Sequence, residues 1–355
     1  MVNYIIRRLL IMPITIFGVT ILIFGMLQFL TPEERSALYV RDIPHNDAAM
    51  NGIILRYGLN EPIPVQYWYW VMGKRDAETG QIVGGILRGD FGYSRSASQP
   101  VVDLVKRRFP ATLELTLWSV IPIIGIGIWL GVLSAVNHNN WIDQVARIFA
   151  IVGTSFPTFV FGLLVLMIFY ANLRWFPPGR ISDQFNAVIN NATTFTSYTH
   201  LITVDALLNL RLDIFFDALR HMVLPVITLS YISWAALLRV TRSSMLETLR
   251  QDYVVTARAK GVRERDVVNQ HARPNALIPV ATLGGFTVIG LLSGVIITES
   301  VFAYPGMGRA AADAATQLDV VTVLAFALVN SAILILSFLV VDVLYAFLDP
   351  RIRLD

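Results

Sequence analysis

Six stretches of this chain are each apolar over the length a bilayer-spanning helix needs: Leu9–Leu30, Leu113–Val136, Val145–Leu173, His221–Val240, Leu277–Phe302 and Val320–Leu348. A span takes about 20 mostly apolar residues. Nothing else limits the fold as strongly, because a backbone in hydrocarbon must satisfy its own N–H and C=O groups, and only helices or closed barrels do so. Charge points the same way: 15% of the residues are Asp, Glu, Lys or Arg, against about 25% in a soluble domain. The expected fold is an all-α membrane protein of six helices, with both termini on one side. His221–Val240 is the weakest span, being short and carrying Pro225.

The first run is too long for the apolar region of a signal peptide, and no small-x-small cleavage site precedes Thr31-Pro32. Arg7-Arg8 also lacks the rest of a twin-arginine signal. An uncleaved first helix is therefore expected. By the positive-inside rule Arg7 and Arg8 place the N-terminus in the cytoplasm. The connection from Arg239 to Arg273 then falls inside with its eight Lys and Arg, and Arg351 and Arg353 agree. Lys106-Arg107-Arg108 lies on the outer side and disagrees, but long translocated loops are largely exempt from the rule. The chain thus divides into an N-terminal helix (1–30), an extracytoplasmic lobe (31–112) and a core of five spans (113–355) with a cytoplasmic loop at 241–276. In the lobe, "QYWYWV" at 66–71 reads as an internal core in preference to a membrane-interface belt, because both spans are distant in sequence.

Reactive chemistry is hard to find. There is no cysteine, and the five histidines (45, 138, 200, 221, 271) include no i, i+4 pair, so no metal site is expected. The three lysines (74, 106, 260) lie outside any G-x-x-x-x-G-K-[ST] context, so the chain is not expected to bind ATP itself. No catalytic residue is assigned. Net charge is +3, with no basic stripe of the kind nucleic acid selects. Glu114 and Glu299 fall at span ends, where water is close, and Asp342, deeper in the sixth span, is expected to be a structural partner for an arginine or a helix end in preference to a functional acid. A ladder of buried acids, which an ion-driven carrier needs, is missing. The energy source is therefore expected outside this chain.

Small residues recur in two spans: Gly127 and Gly131 in the second, and Gly284, Gly285, Gly290, Ser293 and Gly294 in the fifth. They permit either close helix packing or a passage that can close. Prolines 122, 157, 225 and 279 are expected to bend or break their helices.

The connection "QDYVVTARAKGVRERDVVNQHARPNALIPV" (251–280) is helical, basic and hinged on one glycine. Asp252–Lys260 presents Val254, Ala257 and then Gly261 on one face, and Gly261 ends this helix in a left-handed conformation. A second helix, Arg263–Ala272, sets Val267, Val268 and Ala272 against Arg263, Asp266, Gln270 and Arg273, and Pro274 stops it. The pattern suits a lever tied to two spans and gripped by a partner. It also suits a basic loop resting on anionic lipid.

The same stretch resembles the inner loop of ABC-importer permease subunits, E-A-A-x-x-x-G followed by nine residues and I-x-L-P. Alignment on Gly261 puts Ala257 on the second alanine and Pro274 on the terminal proline. Val255, Thr256, His271 and Arg273 depart from the general pattern in the way the dipeptide/oligopeptide branch does. "YIIRRLL", "GDFGYS", "PVVDLVKRRFPATLEL", "HMVLPVITLSY", "RVTRSSMLETLRQDYV", "ESVFAYPGMGR" and "DVLYAFLDPRIR" extend the likeness over nearly the whole chain. The large loop after the first span matches the B-type subunit; "KRDAETGQIVGG" at 74–85 is atypical of it.

The resemblance implies a type I importer membrane domain of a prokaryotic plasma membrane, with no cofactor in this chain. It also implies a second related permease subunit, two ATP-binding subunits that hold ATP and Mg, and an external binding protein that delivers cargo. Asp252, Tyr253, Ala257, Ala259, Lys260, Gly261, Val262, Arg263 and Pro274 then form the ATPase-coupling loop. Peptide is the expected cargo, and oligosaccharides or nickel chelates are the alternatives within the family.

Overall fold

The computed structural model describes residues 2–348 apart from 37, 41–45, 78, 192, 293 and 294. In chain order the helices are α1 (Val2–Leu27), α2 (Pro32–Ser36), α3 (Asp47–Tyr57), α4 (Ile63–Met72), α5 (Val101–Val136) and α6 (Trp141–Ser155). Then come α7 (Thr158–Asn172), α8 (Asp183–Ile189), α9 (Ile202–Leu208), α10 (Leu212–Thr248), α11 (Asp252–Ala259) and α12 (Glu264–Ala276). The last are α13 (Ile278–Leu292), α14 (Ile296–Val301), α15 (Met307–Thr316) and α16 (Val320–Leu348). Four of these are long and apolar enough to cross a bilayer alone, and two bent pairs bring the number to six. The chain forms two compact units, Val2–Pro110 with Gly306–Leu336, and Ala111–Pro305 with the chain from Ser337.

In the first unit α1 keeps Leu10, Ile14 and Leu22 outward, a surface suited to lipid. The aromatic run lies on α4, and its partner is α1. The Tyr67 hydroxyl bonds Thr20 at 2.7 Å, its ring meets Phe17 and Phe24 edge-on, and Trp70 tilts against Phe24. The expected self-contained lobe core is thus corrected: sequence distance from a span was a poor guide to distance in space. β1 (Lys74–Arg75) pairs antiparallel with β2 (Ile82–Val83), and Asp76 beside β1 pairs with Arg56 of α3 at 2.9 Å.

A hairpin, β3 (Tyr93–Ser94) on β4 (Gln99–Pro100), is tied to the start of α16 by Asp319. Its Oδ2 accepts from the hydroxyls of Ser94 (3.1 Å), Ser96 (2.9 Å) and Thr322 (2.7 Å), and from the Ser96 N–H (3.0 Å). Burial raises the Asp319 pKa, but the donors from Ser96 and Thr322 more than reverse this and hold it below the usual carboxylate range.

α5 begins at Val101, twelve residues before the expected span, because Val101, Leu104, Ala111 and Leu115 fall on one buried helical face. Lys106-Arg107-Arg108 therefore sits on a helix and not in a loop.

In the second unit α5 and α10 run parallel and touch at glycine. A Cβ on Gly127 would lie 2.7 Å from the Leu237 Cβ, and one on Gly131 2.4 Å from the Thr241 Cβ. At this pair of glycines the packing reading holds.

α6 and α7 meet at 102°, so Val145–Leu173 is not a straight span. Their contacts with α10 nevertheless advance steadily: Asp143 meets Arg242, Ala146 and Ala150 pack with Trp234, Ala235 and Leu238, Gly153 faces Tyr231, Gly162 faces Thr228, and Val165 clusters with Leu224. The pair makes one passage along α10 and does not turn back.

α10 is also longer than expected, and Pro225 sits inside it without a break, as Pro122 does in α5. Only Pro157, at the α6–α7 bend, and Pro279, beside the 54° bend between α12 and α13, mark a change of direction. Neighbouring helices can re-satisfy a carbonyl freed by proline, so a proline alone does not fix a kink. The 174–220 connection is a small lobe in its own right, with Phe195, Ile202, Ala206, Ile214 and Ala218 as its core.

α13 runs antiparallel to α5: Gly284 faces Ile124, and the Thr116 hydroxyl donates to the Leu291 carbonyl at 3.2 Å. The expected fifth span to Phe302 is interrupted at Val295, which stands outside helical geometry at φ −102° and ψ 64° and precedes the separate short helix α14.

Candidate functional site

The 241–276 connection folds into a two-helix bar. Gln251, extended at φ −70° and ψ 147°, starts α11, which buries Val254 and Ala257. Lys260 caps it, and Gly261 follows at φ +76° with its N–H donating to the Arg258 carbonyl at 2.9 Å. The left-handed turn expected at Gly261 is present. Its placement on the buried face is corrected: Gly261 is exposed, and no atom lies within 4 Å of where its Cβ would be. Glycine is required here by backbone conformation and not by packing. Val262, half-buried, takes the position against the core.

α12 buries Val267, Val268, Ala272 and Ala276. With Val254 and Ala257 they form one cluster that includes Ala135 of α5 and Met245 of α10. Pro274 does not stop this helix, which continues to Ala276. The turn before it, Val267–Ala272, is wound as a π-helix. The wider winding gives room to a ring with no N–H to offer, so the direction changes only after Ala276. The Ser244 hydroxyl donates to the Ala276 carbonyl at 2.8 Å, tying this end to α10.

Arg258 clasps α12 through Glu264, with Nε and Nη2 at 3.0 and 2.7 Å. An exposed pair of this kind contributes about 0.2–1 kcal/mol. Burial of Val254, Val267 and Val268 contributes roughly 1.5–3 kcal/mol each, so packing fixes the bar and the ion pair sets its angle. The opposite face is open. Tyr253 and Val255 are exposed there among Asp252, Ala259, Lys260 and Arg263. It offers an apolar patch rimmed by charge, with no reactive constellation.

The residues expected in the fifth span separate. Gly284 is buried against Ile124, Gly285 is half-buried, and Gly290 is exposed with no atom within 4 Å of its Cβ position. Ser293 and Gly294 lie outside the described residues, as does His45.

Glu114 and Glu299 are not near water. They are 1% and 0% exposed. Glu114 accepts from the Thr203 N–H (2.6 Å) and hydroxyl (2.7 Å), and Arg180 reaches it through Nε (3.0 Å) and Nη2 (2.6 Å). Glu299 accepts from the Thr112 hydroxyl at 2.7 Å. Arg180 belongs to the 174–220 lobe, and no spacing rule relates it to Glu114. Asp342 is half-buried, and Arg351 lies outside the described residues.

The sequence reading also passed over Asp143 and Arg242, which pair at 2.6 Å between α6 and α10. Their signal was legible: opposite charges at the ends of two expected spans.

Four helices able to cross a membrane alone, two bent pairs that bring the number up to six, and a two-helix bar whose core takes in α5 and α10 make this a polytopic helical protein. The chain belongs to the binding-protein-dependent transport system inner membrane component family, whose model matches residues 127–354. The N-terminal model of the same membrane components matches residues 1–116. It is therefore a multi-pass inner-membrane permease component that works with a separate binding protein and other subunits, and the type I fold class stands.

Relatives cover nearly the full length. The probable D,D-dipeptide transport system permease protein DdpB of Escherichia coli K12 is 38% identical over 340 residues, 96% of this chain and 94% of its own. The oligopeptide transport system permease protein AppB of Bacillus subtilis 168 is 35% identical over 354 residues, 99% of this chain and 100% of its own. The glutathione transport system permease protein GsiC of Salmonella choleraesuis is 35% identical over 99% of both chains.

Proposed function

We propose that this chain forms half of the membrane pathway of an ATP-driven peptide importer. A second related permease subunit forms the other half. Two ATP-binding subunits, holding ATP and Mg, grip the bar from the cytoplasm, and the binding protein delivers peptide on the opposite side. Both termini are cytoplasmic, an orientation supported by Arg7, Arg8 and the eight basic residues between Arg239 and Arg273. The region after α1 then faces outward, and "peptide" rests on the names of the relatives, which favour it over oligosaccharide or nickel chelate.

One observation carries the reading: the bar shares a continuous core with α5 and α10 and runs on into α13. Closure of the ATP-binding pair pushes on the face around Tyr253 and Val255. Val254, Ala257, Val267 and Val268 pass that displacement to the passages, and Gly261 and Pro274 preserve the bar's shape. None of these residues performs chemistry, and the work comes from hydrolysis elsewhere.

The test is uptake of a labelled peptide into proteoliposomes holding this chain and its partner subunits. Uptake is expected to require ATP, the ATP-binding subunits and the binding protein together. Uptake at full rate by this chain alone, without nucleotide, would contradict the proposal.

A further inference from the structure

The bar's core cluster contains side chains of α5 and α10 but, among the described residues, none of α6 or α7. A push on the bar must reach the α6–α7 passage by another route. Along α10 that passage is held mainly by apolar contacts: Ala146 and Ala150 lie beside Trp234, Ala235 and Leu238, Gly153 and Phe161 beside Tyr231, and Val165 beside Leu224. The small residues among them allow close approach, and apolar contacts carry no directional bond that fixes register.

The Tyr231 hydroxyl adds a bond to the Phe149 carbonyl at 3.2 Å, and one charged contact stands apart from these. Asp143, 0% exposed, receives Nε of Arg242 at 2.6 Å and Nη2 at 2.7 Å. The same carboxylate accepts from the Ser134 hydroxyl of α5 and from the Asn139 N–H of the α5–α6 turn at 3.1 Å. His138 stands at the edge, its Nδ1 accepting from Arg242 at 3.1 Å and lying 3.5 Å from Asp143. Three helices and a turn therefore meet on one carboxylate. Arg242 lies within one turn of Ser244 and Met245, the α10 residues that the bar holds. A bidentate pair fixes both distance and angle, and removing either member leaves an uncompensated buried charge.

We infer that Asp143 and Arg242 are positioning residues that lock the α6–α7 passage in register with α10, so that displacement of the bar moves both. This rests on the lever reading above and extends it to a passage the bar does not touch.

The experiment uses the assembled transporter in proteoliposomes and reads peptide taken up per ATP hydrolysed. Asp143→Asn is expected to lower that ratio at least tenfold while hydrolysis stays within about twofold of native. Arg242→Lys, which keeps the charge but loses the fork, is expected to lower it about threefold to tenfold. It serves as the decisive variant should Asp143→Asn fail to insert.

The chain has no cysteine, so spin labels on Ile148→Cys of α6 and Glu247→Cys of α10 report their separation directly. Native protein should give one narrow distance with and without ATP, and the variants a broadened or ATP-dependent one. A native ratio and a single narrow distance in the variants would overturn the inference. Gly261→Pro in parallel separates the two levels: if it too leaves the ratio unchanged, the lever reading fails, and if it alone uncouples, only the role of Asp143 and Arg242 does.

Discussion

At Gly131 the α5–α10 interface leaves no room for a side chain, with the Thr241 Cβ 2.4 Å from the position a methyl would occupy. Gly131→Ala is expected to destabilise the protein by about 1–3 kcal/mol, the usual cost of overpacking, read as a lower thermal midpoint in detergent. Gly290→Ala is the control. Nothing lies within 4 Å there, so the isolated chain should melt unchanged. Gly261 is sensitive for a different reason. Alanine at φ +76° costs about 1–2 kcal/mol of left-handed strain without any clash. These glycines look alike in sequence, yet one is fixed by a neighbour, one by its own backbone and one by nothing among the described residues.

Among the elements, the β3–β4 hairpin and its Asp319 anchor give a pH prediction. The Asp319 pKa is depressed in the folded protein, so its contribution is complete above the unfolded value of about 3.9. It is lost as pH falls through the lower, folded value. Protection of residues 93–100 from protease or hydrogen exchange should therefore hold from neutral pH to about 4.5 and weaken only in stronger acid. Asp319→Asn should weaken it at all pH, by about 1–3 kcal/mol. Protection insensitive to both changes would show that the anchor is incidental.

Elements also show where sequence was readable. Length and apolarity marked the four helices able to cross alone and the α6–α7 pair, but drew the fifth passage as Leu277–Phe302 where the bent pair is α12–α13, and the i, i+3 pattern found the buried face of α11. What stayed hidden depended on a partner far along the chain. Examples are the Tyr67–Thr20 contact, the Arg180–Glu114 pair, and a helix passing Pro225 or Pro274 unbroken because of local winding or neighbours. The course of α6–α7 was hidden for the same reason, since only its register along α10 tells a bent passage from a returning one.

Across the whole molecule, the bar and the helices α5 and α10 that share its core belong to one design. On the proposed function, the permease contributes the path, and other subunits contribute energy and cargo. Its polar investment inside the bundle is structural: Glu114 is matched by Arg180 and Asp143 by Arg242. Such matched pairs hold helices at fixed angles without creating a site for ions to hop along.

The most direct test of the central claim is the number of peptides imported per ATP hydrolysed by the reconstituted complex carrying Gly261→Pro. Proline cannot adopt φ +76°, and the change also removes the N–H that bonds Arg258, so the bar loses its shape while the six passages keep theirs. The account predicts a complex that inserts, assembles and still hydrolyses ATP, with the import ratio reduced at least tenfold. A Gly261→Pro complex that imports peptide at the native ratio would contradict it.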